Sequence, residues 1–108
     1  MALTVNLRYA GKNGNALKFA KEMISSGTVA AIRAEAGNLR YEYYQSLDDP
    51  ETVLLIDSWR DQAAIDAHHA TSMMATIAAL REKYDLHMKV ERFADAGENA
   101  SDAQFIRT

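Results

Sequence analysis

Along Thr4–Tyr9 the chain alternates Val5, Leu7 and Tyr9 with Thr4, Asn6 and Arg8, the period-two pattern of a strand with one buried face. Gly11-Lys12-Asn13-Gly14 supplies a turn, and from Asn15 the period changes. Ala16, Phe19, Ala20, Met23, Ile24 and, past Gly27, Ala30, Ala31 and Ala34 recur at helical spacing. This predicts a long helix with Asn13 or Asn15 as N-cap and Gly37 as its C-terminal stop. Ser25-Ser26-Gly27-Thr28 lies inside it, and the glycine alone costs roughly 1 kcal/mol of helix propensity, so the pattern is compatible with either a continuous or a broken helix.

The central stretch returns to strand periods. Leu39, Tyr41 and Tyr43 alternate with Arg40 and Glu42, whereas Val53–Ile56 is an unbroken apolar run closed by Trp59. The first pattern predicts a half-buried strand and the second a central strand with cover on both faces. Between them Ser46-Leu47-Asp48-Asp49-Pro50-Glu51 must reverse the chain, since Pro50 lacks the backbone donor a strand needs. Asp61 is placed to cap a short helix over Gln62–Ala70, and Ser72 to cap a second in which Met73, Ile77, Leu80 and Tyr84 share a face. Leu86–Phe93 reads as the last strand. Asp95–Gln104 is small and polar before a terminal Phe105-Ile106 pair, so residues 1–94 are expected to form one domain and residues 95–108 a tail anchored by that pair, on its own subunit or on a partner.

The order strand, helix, strand, strand, helix pair, strand defines an α+β class: a ferredoxin-like split β-α-β with helices on one face of an antiparallel sheet. Tyr44, Tyr9, Trp59 and Val53–Ile56 then give the sheet more apolar surface than one helical layer can cover, which calls for a second subunit. A net charge of −3 with scattered cations gives no electrostatic reason to bind nucleic acid. No run of about 18 apolar residues exists to span a bilayer. The chain has no cysteine and enters a strand directly from its first residues, so a cytoplasmic protein without thiol or zinc-thiolate chemistry is expected.

Candidate chemistry centres on His68 and His69. Adjacent on a helix, they diverge by about 100° and do not suit a single metal ion, but each lies within a helical turn of Ile65 and can border a pocket. Two readings stand side by side: a buried hydrogen-bonded histidine next to an exposed one, or His68 as a general base titrating near neutrality. Tyr41, Tyr43, Tyr44 and Trp59 suit either stacking on an aromatic ligand or ordinary core packing. Asp48, Asp49 and Glu51 read as solvated turn carboxylates, not a metal site. Gly11 and Gly14 lack the spacing of a dinucleotide loop, so no flavin or nicotinamide is implied.

The stretch EAGNLRYEYYQSLDDPETVLLIDSWRDQAAIDAHHATSMMATI resembles the core of the antibiotic biosynthesis monooxygenase (ABM) family, and the likeness runs from about Thr4 to Phe93. Its most specific part is the series Tyr41, Asp49-Pro50, Trp59, Ala67-His68. The resemblance implies a homodimer in which two ferredoxin-like sheets pair into an α+β barrel. It also implies a pocket near Trp59 and His68, and it places Asn6 near a first-strand asparagine that haem-degrading members use. Those members carry an iron-binding histidine where this chain has Ala78, which cannot ligate iron. The Pro-His-Phe that frequently follows the histidine helix is Ser72-Met73-Met74 here. The family includes cofactor-free monooxygenases of quinols and polyketide aromatics and an isomerase of a sugar phosphate signal.

The expected function is therefore a cofactor-independent monooxygenase acting with molecular oxygen on a quinol or other small hydroxylated aromatic. His68 is the expected catalytic base, Asn6 or Arg8 the donor to substrate oxygen, and Trp59 and His69 the pocket border, with no metal. The alternatives are an isomerase of a small hydroxy-carbonyl compound, using the same histidine as proton shuttle, and a non-catalytic small-molecule-binding dimer.

Overall fold

The computed structural model describes residues 1–108. Four strands, β1 (Leu3–Ala10), β2 (Asn38–Gln45), β3 (Thr52–Trp59) and β4 (His87–Ala94), form one antiparallel sheet in the order β2-β3-β1-β4. The helices are α1 (Asn15–Ser25), α2 (Thr28–Arg33), α3 (Gln62–His69) and α4 (Met73–Lys83), giving the α+β split β-α-β arrangement that the periodicity predicts.

The long helical stretch is broken. Gly27 sits at φ 82°, a left-handed backbone that ends one helix and starts the next, so the stretch divides into α1 and α2. Neither Asn13 nor Asn15 caps α1. Gly14 occupies the N-cap in a left-handed conformation with no side-chain cap, and its N–H donates to Glu51 Oε1 at 2.9 Å. Asp61 does cap α3, accepting from Ala64 N at 2.9 Å, while Ser72 precedes α4 without a side-chain cap bond. Gly37 lies beyond the end of α2 at φ 84°, and a Cβ there would meet the Ala64 Cβ at 2.6 Å. Glycine thus lets the loop after α2 press against α3, and that loop carries Glu35.

Strand pairing sorts the side chains into two sets. Val5, Leu7 and Tyr9 of β1 stand level with Asp57, Leu55 and Val53 of β3, and with Arg92, Val90 and Met88 of β4, on the helix-covered face. Here Tyr9, Phe19, Met23, Ile32, Leu55, Trp59 and Ile77 are buried almost completely. Tyr9 and Trp59 belong to this covered face, contrary to the expectation that they burden the open one. The second set, Thr4, Asn6, Arg8, Leu54, Ile56, Tyr44 and Phe93, lies on the outer face. Leu54 and Ile56 are only half-buried there, so β3 is central in the ladder but covered on one face within a single chain. Leu39 also departs from its pattern. A bulge between Asn38 and Arg40 takes it out of register and leaves it 60% exposed.

Strand β4 is an edge strand whose eight residues are all exposed. Beyond it a 3-10 turn of helix spans Ala100–Phe105, started by Asn99, whose side chain accepts from Ser101 N at 3.1 Å. Phe105 is 82% and Ile106 62% exposed, so the pair is not docked on its own chain.

Candidate active site

A cavity of about 250 Å³ opens between the sheet and helices α3 and α4. Val5, Leu7, Leu55, Ile65, Met74 and Ile77 give it an apolar wall, and Asp57, His68, His69 and Arg81 are among the polar groups that line it, with Tyr41 and Arg92. Its volume is just below the range of roughly 300–1,000 Å³ for small-molecule sites generally, a size suited to a small ring system.

Each polar group is placed by a simple local rule. Asp57 and Trp59 are two apart on β3, so both point to the helix side. The indole Nε1–H donates to Asp57 Oδ1 at 2.6 Å. The start of α3 is fixed by the Asp61 cap, which turns Ala64, Ile65 and His68 toward the sheet. His68 is only 4% exposed, and its ring stacks on Trp59 with centroids 4.8 Å apart and planes 29° apart. Its Nδ1 lies 2.7 Å from Glu35 Oε2. A carboxylate accepts, so Nδ1 carries the proton in this contact, and whenever the ring is neutral its lone pair lies on Nε2. Nε2 has no hydrogen-bond partner in the protein.

Asp57 is buried, and loss of hydration pushes its carboxyl up to about 6, the Trp59 hydrogen bond and the charge of His68 acting in the opposite direction. Burial also drives the phenols of Tyr41 and Tyr43 well above their ordinary range. Arg81 reaches in from α4, and its Nη2 donates to Tyr9 Oη at 2.8 Å. Its Nε is buried without a partner.

The residues singled out from sequence do not all meet. His68 and His69 both border the cavity, with ring centroids 5.6 Å apart, and Trp59 forms the layer behind His68. Asn6 and Arg8 lie on the opposite side of the sheet. Because Val5 and Leu7 face the helices, strand alternation sends their neighbours outward, and neither lines the cavity. Arg8 pairs there with Glu91 at 3.3 Å, and Asn6 Oδ1 is buried without a partner. The turn carboxylates are taken up locally: Asp49 accepts from Glu51 N at 3.0 Å and from Thr52 Oγ1 at 2.7 Å. Asp57, Glu35 and Arg81 complete the site without having been marked by sequence. The one available signal was Asp57, a charged residue in phase with Val53, Leu55 and Trp59 on the buried side of its strand.

Fold and cavity together define a ferredoxin-like α+β protein with a small, mostly apolar site holding a histidine and an aspartate. Residues 2–80 match the family model for antibiotic biosynthesis monooxygenase, and the chain belongs to that family. Among curated proteins it is 32% identical over 40 residues to YcnE, a proposed monooxygenase of Bacillus subtilis (strain 168). That match covers 37% of this chain and 42% of YcnE. The solved structure of PA3566 from Pseudomonas aeruginosa superposes with a TM-score of 0.75 at 28% identity, over 89% of this chain and 95% of that one. SnoaB, a cofactor-independent oxygenase from Streptomyces nogalater, gives 0.74 at 17% identity over 92% and 97% of the two chains, a likeness of fold.

Proposed function

We propose that this protein is a cofactor-independent monooxygenase that oxidises a quinol or other small hydroxylated aromatic with molecular oxygen. The observation that carries the reading is His68: buried in an apolar cavity, tied through Nδ1 to Glu35, and left with a free Nε2. A deprotonated dihydroxy-aromatic can itself deliver electrons to oxygen, so the protein need only remove a proton, orient the ring and exclude water. His68 takes the proton, and Glu35 holds the tautomer and stabilises the imidazolium that forms. The apolar wall excludes water, and Arg81 and Arg92 are the cavity's cations for an anionic substrate oxygen. His69 borders the mouth, and Trp59 fixes the plane of the base. Membership of the ABM family supports the same reading.

The working form is a homodimer with the outer sheet faces in contact, in the cytoplasm. Half-buried Leu54 and Ile56 beside exposed Tyr44 and Phe93, and the unpartnered Asn6 Oδ1, support that arrangement. At the lower limit of stable interfaces it would bury about 600–800 Å² per partner.

A panel of quinols on an oxygen electrode, run with metal-free protein and with product identified by mass, tests the activity. Oxygen uptake above the uncatalysed rate, with one oxygen atom entering the product and insensitive to chelators, is the expected result. Turnover without oxygen uptake would make the protein an isomerase. Binding without any turnover would make it a non-catalytic module, and activity lost on chelation would end the cofactor-free reading.

A further inference from the structure

We propose that Asp57 is a second proton-transfer residue of this cavity: it donates to the oxygen that leaves the substrate as water, while His68 acts as the base. The inference rests on the oxygenase reading above for its catalytic form.

Asp57 is a buried carboxyl with no cation bonded to it. Arg81, which lines the same cavity, donates instead to Tyr9 Oη at 2.8 Å. An unpaired carboxylate in such a place costs stability, and anchoring the Trp59 indole does not require a charge, since an amide oxygen accepts the same bond. Only Oδ1 is used, by Trp59 Nε1; Oδ2 has no partner in the protein, and the residue lines the cavity together with His68. The surroundings keep its proton available near neutrality. Burial raises its pKa to about 6, Glu35 on the loop after α2 raises it further, and His68 on α3 and Arg81 on α4 lower it. Tyr41 on β2, His69 on α3 and Arg92 on β4 are the other titratable groups that line the same space.

Oxygenation of a quinol needs such a donor. When a proton leaves the quinol hydroxyl for His68, the ring's electron pair forms a bond from a ring carbon to oxygen, and the peroxide anion so formed takes that proton back from His68. His68 then takes the ring C–H proton, which afterwards restores the Asp57 carboxyl; the C–H electron pair becomes the second bond of the new carbonyl, and the O–O bond breaks. The departing oxygen takes the O–O pair and the Asp57 proton and leaves as water. The sum is quinol plus oxygen giving hydroxyquinone plus water, with all electrons from the substrate. Without the donor, the peroxide is expected to leave intact, giving the simple quinone and hydrogen peroxide.

The test is Asp57→Asn in the full chain, which keeps an acceptor for the indole. With dihydroxynaphthalene, the variant should form hydroxyquinone about 10²- to 10⁴-fold more slowly than the parent. It should also release hydrogen peroxide, seen as oxygen returned on adding catalase. Hydroxyquinone formed at the parent rate without peroxide would overturn the proposal. If the parent itself consumes no oxygen, the oxygenase reading falls, and Asp57 is judged on binding of naphthoquinone followed by fluorescence of Trp59, the single tryptophan. A protonated Asp57 donates to a quinone oxygen, so binding should strengthen as pH falls through about 6 and lose that dependence in the variant. The same pH dependence in both proteins would overturn it.

Discussion

The two faces of the sheet share their backbones and differ in what they do with polar groups. On the helix side, polar side chains are buried or half-buried and mutually engaged: Trp59 with Asp57, His68 with Glu35, Arg81 with Tyr9. On the outer side the polar pairs are exposed, Arg40 Nη2 donating to Tyr44 Oη at 2.7 Å and Tyr44 Oη to Glu42 Oε2 at 2.7 Å. They frame Leu54 and Ile56, which no helix covers. Burial makes the first set fit for proton chemistry, because it shifts ionisation and excludes water. The second set resembles the rim of an interface, polar at the edge and apolar at the centre.

Adjacent residues on β3 should break the two faces separately. Leu55 is 1% exposed beneath the helices, and a lysine there would bury an ammonium at a cost of several kcal/mol, a large share of the about 5–15 kcal/mol that stabilises a domain. Leu55→Lys should therefore not fold. Ile56→Lys should fold as a monomer, because its side chain meets only the outer face. Circular dichroism and light scattering check both, and a folded Ile56→Lys dimer would remove the outer face from the assembly.

The next effect is one of stability against pH. The folded pKa of Asp57, about 6, lies above the ordinary 3.8, so the folded protein binds the proton more tightly than the unfolded chain. The favourable contribution is full below about pH 4 and is lost as pH rises through 6. A shift of about two units corresponds to up to about 3 kcal/mol. Asp57→Asn should then be more stable than the parent at pH 7 and gain nothing near pH 4, as read from denaturant midpoints. A parent curve that rises between pH 4 and 7 relative to the variant would contradict the buried, unpaired state of this carboxyl.

Much of the fold was legible because it depends on periods. Alternation located β1 and the inward tyrosines of β2, helical spacing located the core faces of α1 and α4, and Asp61 marked the start of α3. The bulge at Leu39 was not legible, since it changes pairing without changing the local pattern. The site divides the same way. His68 was within reach of sequence through its spacing from Ile65. Asn6 was placed by family likeness against the parity of its own strand, and parity prevailed. Glu35 reaches His68, and Arg81 the cavity, only after the break at Gly27 and the packing of α4 bring distant segments together, and neither sits in a pattern that announces it.

The smallest expected effect concerns the tail. Phe105 and Ile106 are exposed on a single chain, and docking on the partner subunit would bury them. Deletion after Ala94 should then weaken the dimer or lower its melting temperature by a few degrees, about 1 kcal/mol in a domain of this size. A truncated protein that melts and associates like the parent would leave the tail without an anchoring role.

The most direct measurement compares oxygen consumption by metal-free parent, His68→Ala and His69→Ala proteins on one active quinol. A loss of about 10²- to 10⁴-fold is expected for His68→Ala with the fold retained, and a far smaller one for His69→Ala. Equal rates for the parent and His68→Ala would remove His68 from the chemistry.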